Sequence, residues 1–157
     1  DALLRTEYSI KALSLAGIET EKLASDTADW QRGQASTLMQ QWLAKFGSGI
    51  EVVFANNDDM ALGAIDACTS AGLTADTMPF IVGVDATPPA LEALEDGTLK
   101  GTVQNDGAGQ AEMMLKLSCA LAEGQEPSSE VTLADGKYVW LNYTTVTKEN
   151  LAQFKTP

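Results

Sequence analysis

Apolar and polar positions along this chain alternate between two rhythms. Glu51-Val-Val-Phe-Ala55 and Phe80-Ile-Val-Gly-Val84 are short, almost continuous apolar runs, the pattern of parallel strands covered on both faces. Ile18 to Ala24 is more polar and suits an edge strand, and Gly101-Thr-Val-Gln104 is a shorter fourth candidate. Between these runs the spacing becomes helical. Ala35, Leu38, Met39, Trp42, Leu43 and Phe46 recur at i, i+3, i+4 and i+7 up to Gly47-Ser-Gly49, which predicts an amphipathic helix with a glycine stop. Ala61, Ala64, Ile65 and Cys68 repeat that spacing. Thr87-Pro88 reads as an N-cap followed by proline in the first turn, with Gly97 as the stop. A further helix is expected from Gly107 to Ala122, ending at Gly124.

The rhythm then breaks. Val131-Thr-Leu133, Asp135-Gly136 and Tyr138-Val-Trp140 spell a hairpin, since Asp-Gly supplies the positive φ angles of a two-residue turn. An extended stretch from Asn142 to Val146 leads to a short terminal helix capped by Thr147. The fold class is α/β: an open, mostly parallel sheet with flanking helices, plus a C-terminal helix–hairpin segment outside the βαβ rhythm.

Charge and composition narrow the functions available. The chain has 157 residues, 10 basic against 22 acidic, a net charge of −12 and no histidine. The missing histidine removes His-based acid–base chemistry, Ser–His and Cys–His nucleophile pairs and His-ligated metals. The acidic surplus argues against nucleic acid or an anionic membrane surface as partner. No run of about 18 apolar residues marks a membrane span. The chain opens on Asp1 without a methionine, which reads as a mature or excised piece. Cys68 and Cys119 fall in helical segments and read as small buried hydrophobes; a disulfide is the alternative, which spacing does not decide.

Ligands of open parallel sheets bind beyond the carboxyl ends of the strands. Just past the successive strands stand Asp26-Thr27, then Asn56-Asn57-Asp58, then Asp85, then Asn105-Asp106. No glycine-rich phosphate loop is present. Asp and Asn are favoured N-caps, and any one of these residues alone has that ordinary explanation. Asn56-Asn57-Asp58 supplies more than one cap needs, and Asp85 precedes the better-placed cap Thr87. Short carboxylates and carboxamides arrayed together suit a neutral ligand rich in hydroxyls. Arg5 lies one turn after Asp1, so the two share a helix face; a solvated arginine is the alternative. Trp30, in Asp26-Thr-Ala-Asp-Trp30, either staples the next helix or offers a flat platform to a sugar ring. Paired carboxylates could hydrolyse glycosides, but each candidate has polar neighbours and no catalytic pattern surrounds it, so an enzyme is not expected. Asp58-Asp59 lacks the spacing of a calcium loop.

Val52-Val-Phe-Ala-Asn-Asn-Asp-Asp-Met-Ala-Leu-Gly-Ala64, Val82-Gly-Val-Asp85-Ala86 and Gly101-Thr-Val-Gln-Asn105-Asp106 resemble the periplasmic galactose/glucose-binding protein family. The likeness runs from Asp1-Ala-Leu-Leu-Arg5 through Asp26-Thr-Ala-Asp-Trp30 to Val146-Thr-Lys-Glu-Asn-Leu-Ala-Gln-Phe154. It implies a two-lobed receptor that closes over one pyranose and delivers it to the membrane subunits of an ABC importer, in the periplasm or outside the cell, with lipid anchoring and a chemoreceptor as further expectations. It implies that Asp1, Arg5, Asn57, Asp85 and Asn105 hydrogen-bond sugar hydroxyls and that Trp30 stacks on the ring. Asn57, Asp85 and Asn105 are also selected by strand-end reasoning. The family binds calcium in one lobe, and Glu51 matches the carboxylate that closes that site; the calcium loop has no counterpart here.

The family is about twice as long, so this chain is expected to be its C-terminal portion, cut just after a position where relatives carry histidine. By analogy, residues 1–105 and 142–157 form the C-terminal sugar-binding lobe. Residues 106–141 would complete the other lobe, and their unpartnered apolar faces are expected to drive self-association. The effector lobe of a sugar-responsive transcription regulator of the same fold is the alternative function, against which the negative charge weighs.

Overall fold

A computed structural model describes residues 1–125 and 131–155. The described chain divides into two units, one of Asp1–Gln104 with the stretch from Thr145 onward, the other Asn105–Thr144. Among the described residues five α-helices and four short strands are formed: α1 (Ala2–Leu15), α2 (Arg32–Phe46), β1 (Val52–Phe54), α3 (Asp58–Ser70), β2 (Phe80–Val82), α4 (Pro88–Asp96), β3 (Thr102–Gln104), α5 (Gly107–Ala122) and β4 (Thr144–Val146). The periodic segments are the helices expected. α2 ends at Gly47, whose φ is +55°, and α4 ends at Gly97 in the left-handed region. A single 3-10 turn, Leu151–Gln153, stands where a terminal helix was expected; Asn150 Oδ1 accepts from the Thr147 N–H before it.

In the first unit β1 and β2 pair in parallel, Val53 opposite Ile81. Parallel bridges Val82–Gly101 and Asp85–Gln104 carry the array on to β3, which neighbours β4. The core lies on one side of these strands, where Ile81, Ala61, Leu62, Ile65, Met39 and Leu94 are buried. α2 and α3 cross closely because residue 63 is glycine: a Cβ there would stand 2.1 Å from the Arg32 carbonyl oxygen. At the outer end of the crossing the Arg32 guanidinium makes two bonds to Asp66, at 2.7 and 2.8 Å. Lys100 Nζ donates to the carbonyls of Ala75 and Gly97, at 2.8 and 2.7 Å.

Three expectations are corrected. The strands are not covered on both faces: Val53 and Ile81 turn inward, whereas Val52, Phe54 and Phe80 alternate outward and stay exposed, because α3 packs on one side only. Ile18 to Ala24 forms no strand. A strand exists only by pairing, and a groove of about 80 Å³, lined by Asp26, Ala28, Met39, Val53 and Phe54, lies between the end of this stretch and β1. In the second unit, Asp135 and Gly136 take φ of +53° and +65° as the Asp-Gly turn requires. The loop nevertheless has three residues: Lys137 N–H donates to the Ala134 carbonyl, and Ala134 pairs with Tyr138 in one antiparallel bridge rather than a ladder.

Cys68 is buried and Cys119 is exposed, both as free thiols; the expectation that both are buried fails at Cys119 because α5 has no buried residue. No helix among the described residues is long and apolar enough to cross a membrane.

Candidate functional site

The carboxyl ends of β1 and β2 and the start of α1 meet in the first unit. Arg5, on the first turns of α1, donates from Nη1 to the Asn56 carbonyl at 2.6 Å. This contact fixes the guanidinium 3.9 Å from the Asp85 carboxylate and 5.7 Å from the centre of the Trp30 ring. Arg5 is partly buried, with 18% of its side chain exposed, and Asp85 retains 30%. A half-desolvated cation beside a carboxylate and an aromatic face interacts more strongly than it would in bulk water. The solvated-arginine alternative therefore does not describe Arg5.

Each neighbour is held by a specific local device. Asn56 closes a small network with α1: its Nδ2 donates to Thr6 Oγ1 at 2.9 Å and to the Ala2 carbonyl at 3.2 Å. Asn57 caps α3, its Oδ1 accepting from the Met60 N–H at 3.0 Å. The ordinary N-cap explanation is thus correct for Asn57, but it is incomplete. Nδ2 donates to the Trp30 carbonyl at 3.2 Å, so one side chain secures both the helix and the tryptophan loop. Asp29 and Trp30 have φ of +47° and +64°, a conformation that non-glycine residues hold only where the surroundings enforce it. Trp30 is 44% exposed, so much of its indole is open to solvent rather than stapled beneath α2.

Asp85 comes after β2 with φ of +121°, and Ala86 is next at +55°. The Asp85 N–H donates to the Val103 carbonyl at 2.8 Å. Thr87 is the N-cap of α4 as expected, but its hydroxyl does not cap the helix; it donates to Asp58 Oδ2 at 3.3 Å. Strand-end reasoning counts Asp58 among the side chains offered to a ligand, because Asn56-Asn57-Asp58 exceeds what one cap needs. In the fold Asp58 is fully buried, and no local pattern signals this, since its partners Thr87 and Thr102 lie 29 and 44 residues away.

The remaining candidates are placed otherwise. Asp1 is the exposed N-cap of α1 and makes no side-chain cap bond. Asn105 lies in the second unit, where its Oδ1 accepts from Gln110 Nε2 at 2.7 Å. Asp106 caps α5 through the Gly109 N–H. Glu51 precedes β1, at the opposite end of the strands from Asn57, and lines a groove of about 360 Å³ with Leu43, Ile50, Leu73, Met78 and Pro79. Ser48 and Thr77 also line it, and Glu51 is its one carboxylate, short of the six to eight oxygen ligands that calcium takes. Among the described residues no group of three or more Cys, Asp or Glu could hold a metal.

The family described as periplasmic binding protein domain matches residues 1–126. The chain is 40% identical over 157 residues to the D-galactose/methyl-galactoside binding periplasmic protein of Haemophilus influenzae, covering 98% of this chain and 46% of that one. It is 38% identical over 108 residues to the xylitol-binding protein of Mycolicibacterium smegmatis, covering 69% and 30%. Among solved structures, an ABC transporter solute binding protein from Bacillus halodurans with bound myo-inositol superposes with a TM-score of 0.81 at 35% identity, covering 97% of this chain and 48% of that one. The chain spans about half the length of these relatives or less. With family, sequence and fold in agreement, this chain belongs to the periplasmic binding protein domain family.

Proposed function

We propose that this chain supplies the C-terminal sugar-binding part of an ABC importer's solute receptor, with a galactose- or glucose-type monosaccharide as ligand. The observation that carries the reading is the triad of Arg5, Asp85 and Trp30, with the guanidinium 3.9 Å from the carboxylate and 5.7 Å from the indole centre. Arginine donates to hydroxyl oxygens, the carboxylate accepts from hydroxyls, and the indole takes the C–H face of a pyranose. Asn57 retains a donor hydrogen beyond the one it gives to Trp30. Asp1 and Asn105 complete the ligand set by family resemblance. The receptor works by closing over its ligand, with residues 1–105 and 142–157 in one lobe and 106–141 contributing to the other. It acts in the periplasm, where the Haemophilus relative's name places that protein, and its macromolecular partners are the importer's membrane subunits.

Calorimetry of the full-length protein with D-galactose, D-glucose, D-ribose, xylitol and myo-inositol tests the reading. Tight binding of D-galactose or D-glucose, lost in Asp85→Ala and Trp30→Ala, is the expected result. Binding of none of the five sugars, or full affinity in both variants, overturns it. Preference for xylitol or myo-inositol retains the receptor and replaces the ligand class.

A further inference from the structure

We propose that Asp58 is the positioning residue of the ligand site: its buried carboxylate holds the Asp85–Thr87 loop in the conformation that presents Asp85 to the sugar. The inference rests on the reading of this chain as a sugar receptor and extends it to a residue that does not itself reach the ligand.

Asp58 grips this loop from both ends. Its own N–H donates to the Val84 carbonyl at 2.8 Å. Oδ2 accepts from the Thr87 N–H at 2.8 Å and from the Thr87 hydroxyl at 3.3 Å. Oδ1 accepts from the Thr102 hydroxyl at 2.7 Å, and Thr102 Oγ1 in turn accepts from the Ala86 N–H at 3.2 Å. Residues 84, 86 and 87 are therefore tied, directly or through Thr102, to one carboxylate and its backbone. Within this segment Asp85 and Ala86 are both at positive φ without being glycine. Such a backbone persists only where its surroundings over-determine it; the Asp85 N–H bond to the Val103 carbonyl holds one side, and the Asp58 network supplies the rest of the constraint.

The ordinary explanation for an acid in the first turn of a helix is its favourable interaction with the helix dipole. Asp59, exposed in the same turn, already fills that role. Asp58 is 0% exposed and Thr102 is 2% exposed, so this network is sealed from solvent and hydroxyl-bearing ligands. Its effect on binding is indirect, and the loop it holds is the one that carries Asp85.

The test is a double-mutant cycle on the full-length protein, read by calorimetry with D-galactose. Asp58→Ala is expected to weaken binding by about tenfold or more, and Asp58→Asn to recover affinity to within about threefold. The carboxamide oxygen can still accept from Thr87 while Nδ2 donates to Thr102. In an Asp85→Asn background the Asp58→Ala effect should shrink to less than about threefold, because the group it positions is already altered. If Asp58→Ala fails to fold, Thr102→Val, nearly isosteric and lacking only the hydroxyl, takes its place in the same cycle with the same expectation. Effects of Asp58→Ala and Asp85→Asn that add in full overturn the proposal, as does an Asp58→Asn variant no better than Asp58→Ala. Loss of binding in Asp85→Ala with full binding in both Asp58→Ala and Thr102→Val sinks the positioning role and leaves the receptor reading intact. Full binding in both Asp85→Ala and Trp30→Ala sinks both.

Discussion

A Cβ added to Gly83 would stand 2.4 Å from Asp58 Oδ1 and 3.2 Å from the Ala61 Cβ. The glycine of Val82-Gly-Val-Asp85 therefore serves close packing: its bare Cα leaves room for the buried carboxylate. Gly83→Ala is expected to displace Asp58 and destabilise the chain by about 1–3 kcal/mol. Denaturant unfolding of the two proteins measures the loss, and an unchanged midpoint would show that Asp58 has room to retreat.

The Asp58 carboxyl also gives the chain a pH signature. Burial pushes its pKa above the ordinary 3.8, the bonds from Thr102 and Thr87 pull it back, and the nearby Asp85 charge adds to the rise, leaving it elevated. The folded chain therefore takes up a proton at Asp58 more readily than the unfolded chain does. The stability this contributes is fully present below pH 3.8 and is lost as pH rises through the elevated folded value. Urea unfolding across the acid range should show native stability, measured relative to Asp58→Asn, declining with increasing pH in that window. A difference that grows with pH would contradict the burial argument.

The two thiols should react very differently. Burial pushes the Cys68 thiol up to about 11 and shields its sulfur, whereas Cys119 is exposed on α5. Because thiolate and access both govern reactivity, a thiol-reactive dye at about pH 8 should label Cys119 quickly and Cys68 only after unfolding. Prompt labelling of two thiols per folded chain would place Cys68 at the surface.

The second unit exposes Met114, Leu115 and Leu121 on α5, together with Tyr138, Trp140 and Tyr143. Apolar surface of this extent favours association. Light scattering of the isolated 157-residue chain should give a mass above the monomer that rises with concentration. A sharp monomer at high concentration removes the expectation.

What the sequence revealed and what it concealed divide along the range of the interactions involved. The helices over Arg32–Phe46, Asp58–Ser70 and Pro88–Asp96 were legible because i, i+3, i+4 spacing and glycine stops are local signals. The apolar runs at β1 and β2 were legible for the same reason. Ile18 to Ala24 misled because the pattern of a strand does not say whether a partner lies alongside. At the site, strand-end reasoning selected Asn57 and Asp85, and family resemblance raised Arg5 and Trp30. The role of Asp58 escaped because its carboxylate bonds span 29 and 44 residues. The supporting role of Asn56 escaped likewise, since its side chain bonds to Thr6 and Ala2, 50 and 54 residues back.

The Asn56 network has a mechanical consequence. Asn56 Nδ2 reaches Thr6 and Ala2 while its carbonyl receives Arg5, so the first turns of α1 are bolted to the end of β1 at three points. A load applied to the chain at Asp1 cannot bend α1 away from the sheet without breaking that joint. Because residues 56 and 57 are adjacent, the Asn57 bond to the Trp30 carbonyl hangs the tryptophan loop on the same strand end that holds the helix. Arg5 and Trp30 are thereby anchored to one short piece of backbone, residues 56 and 57.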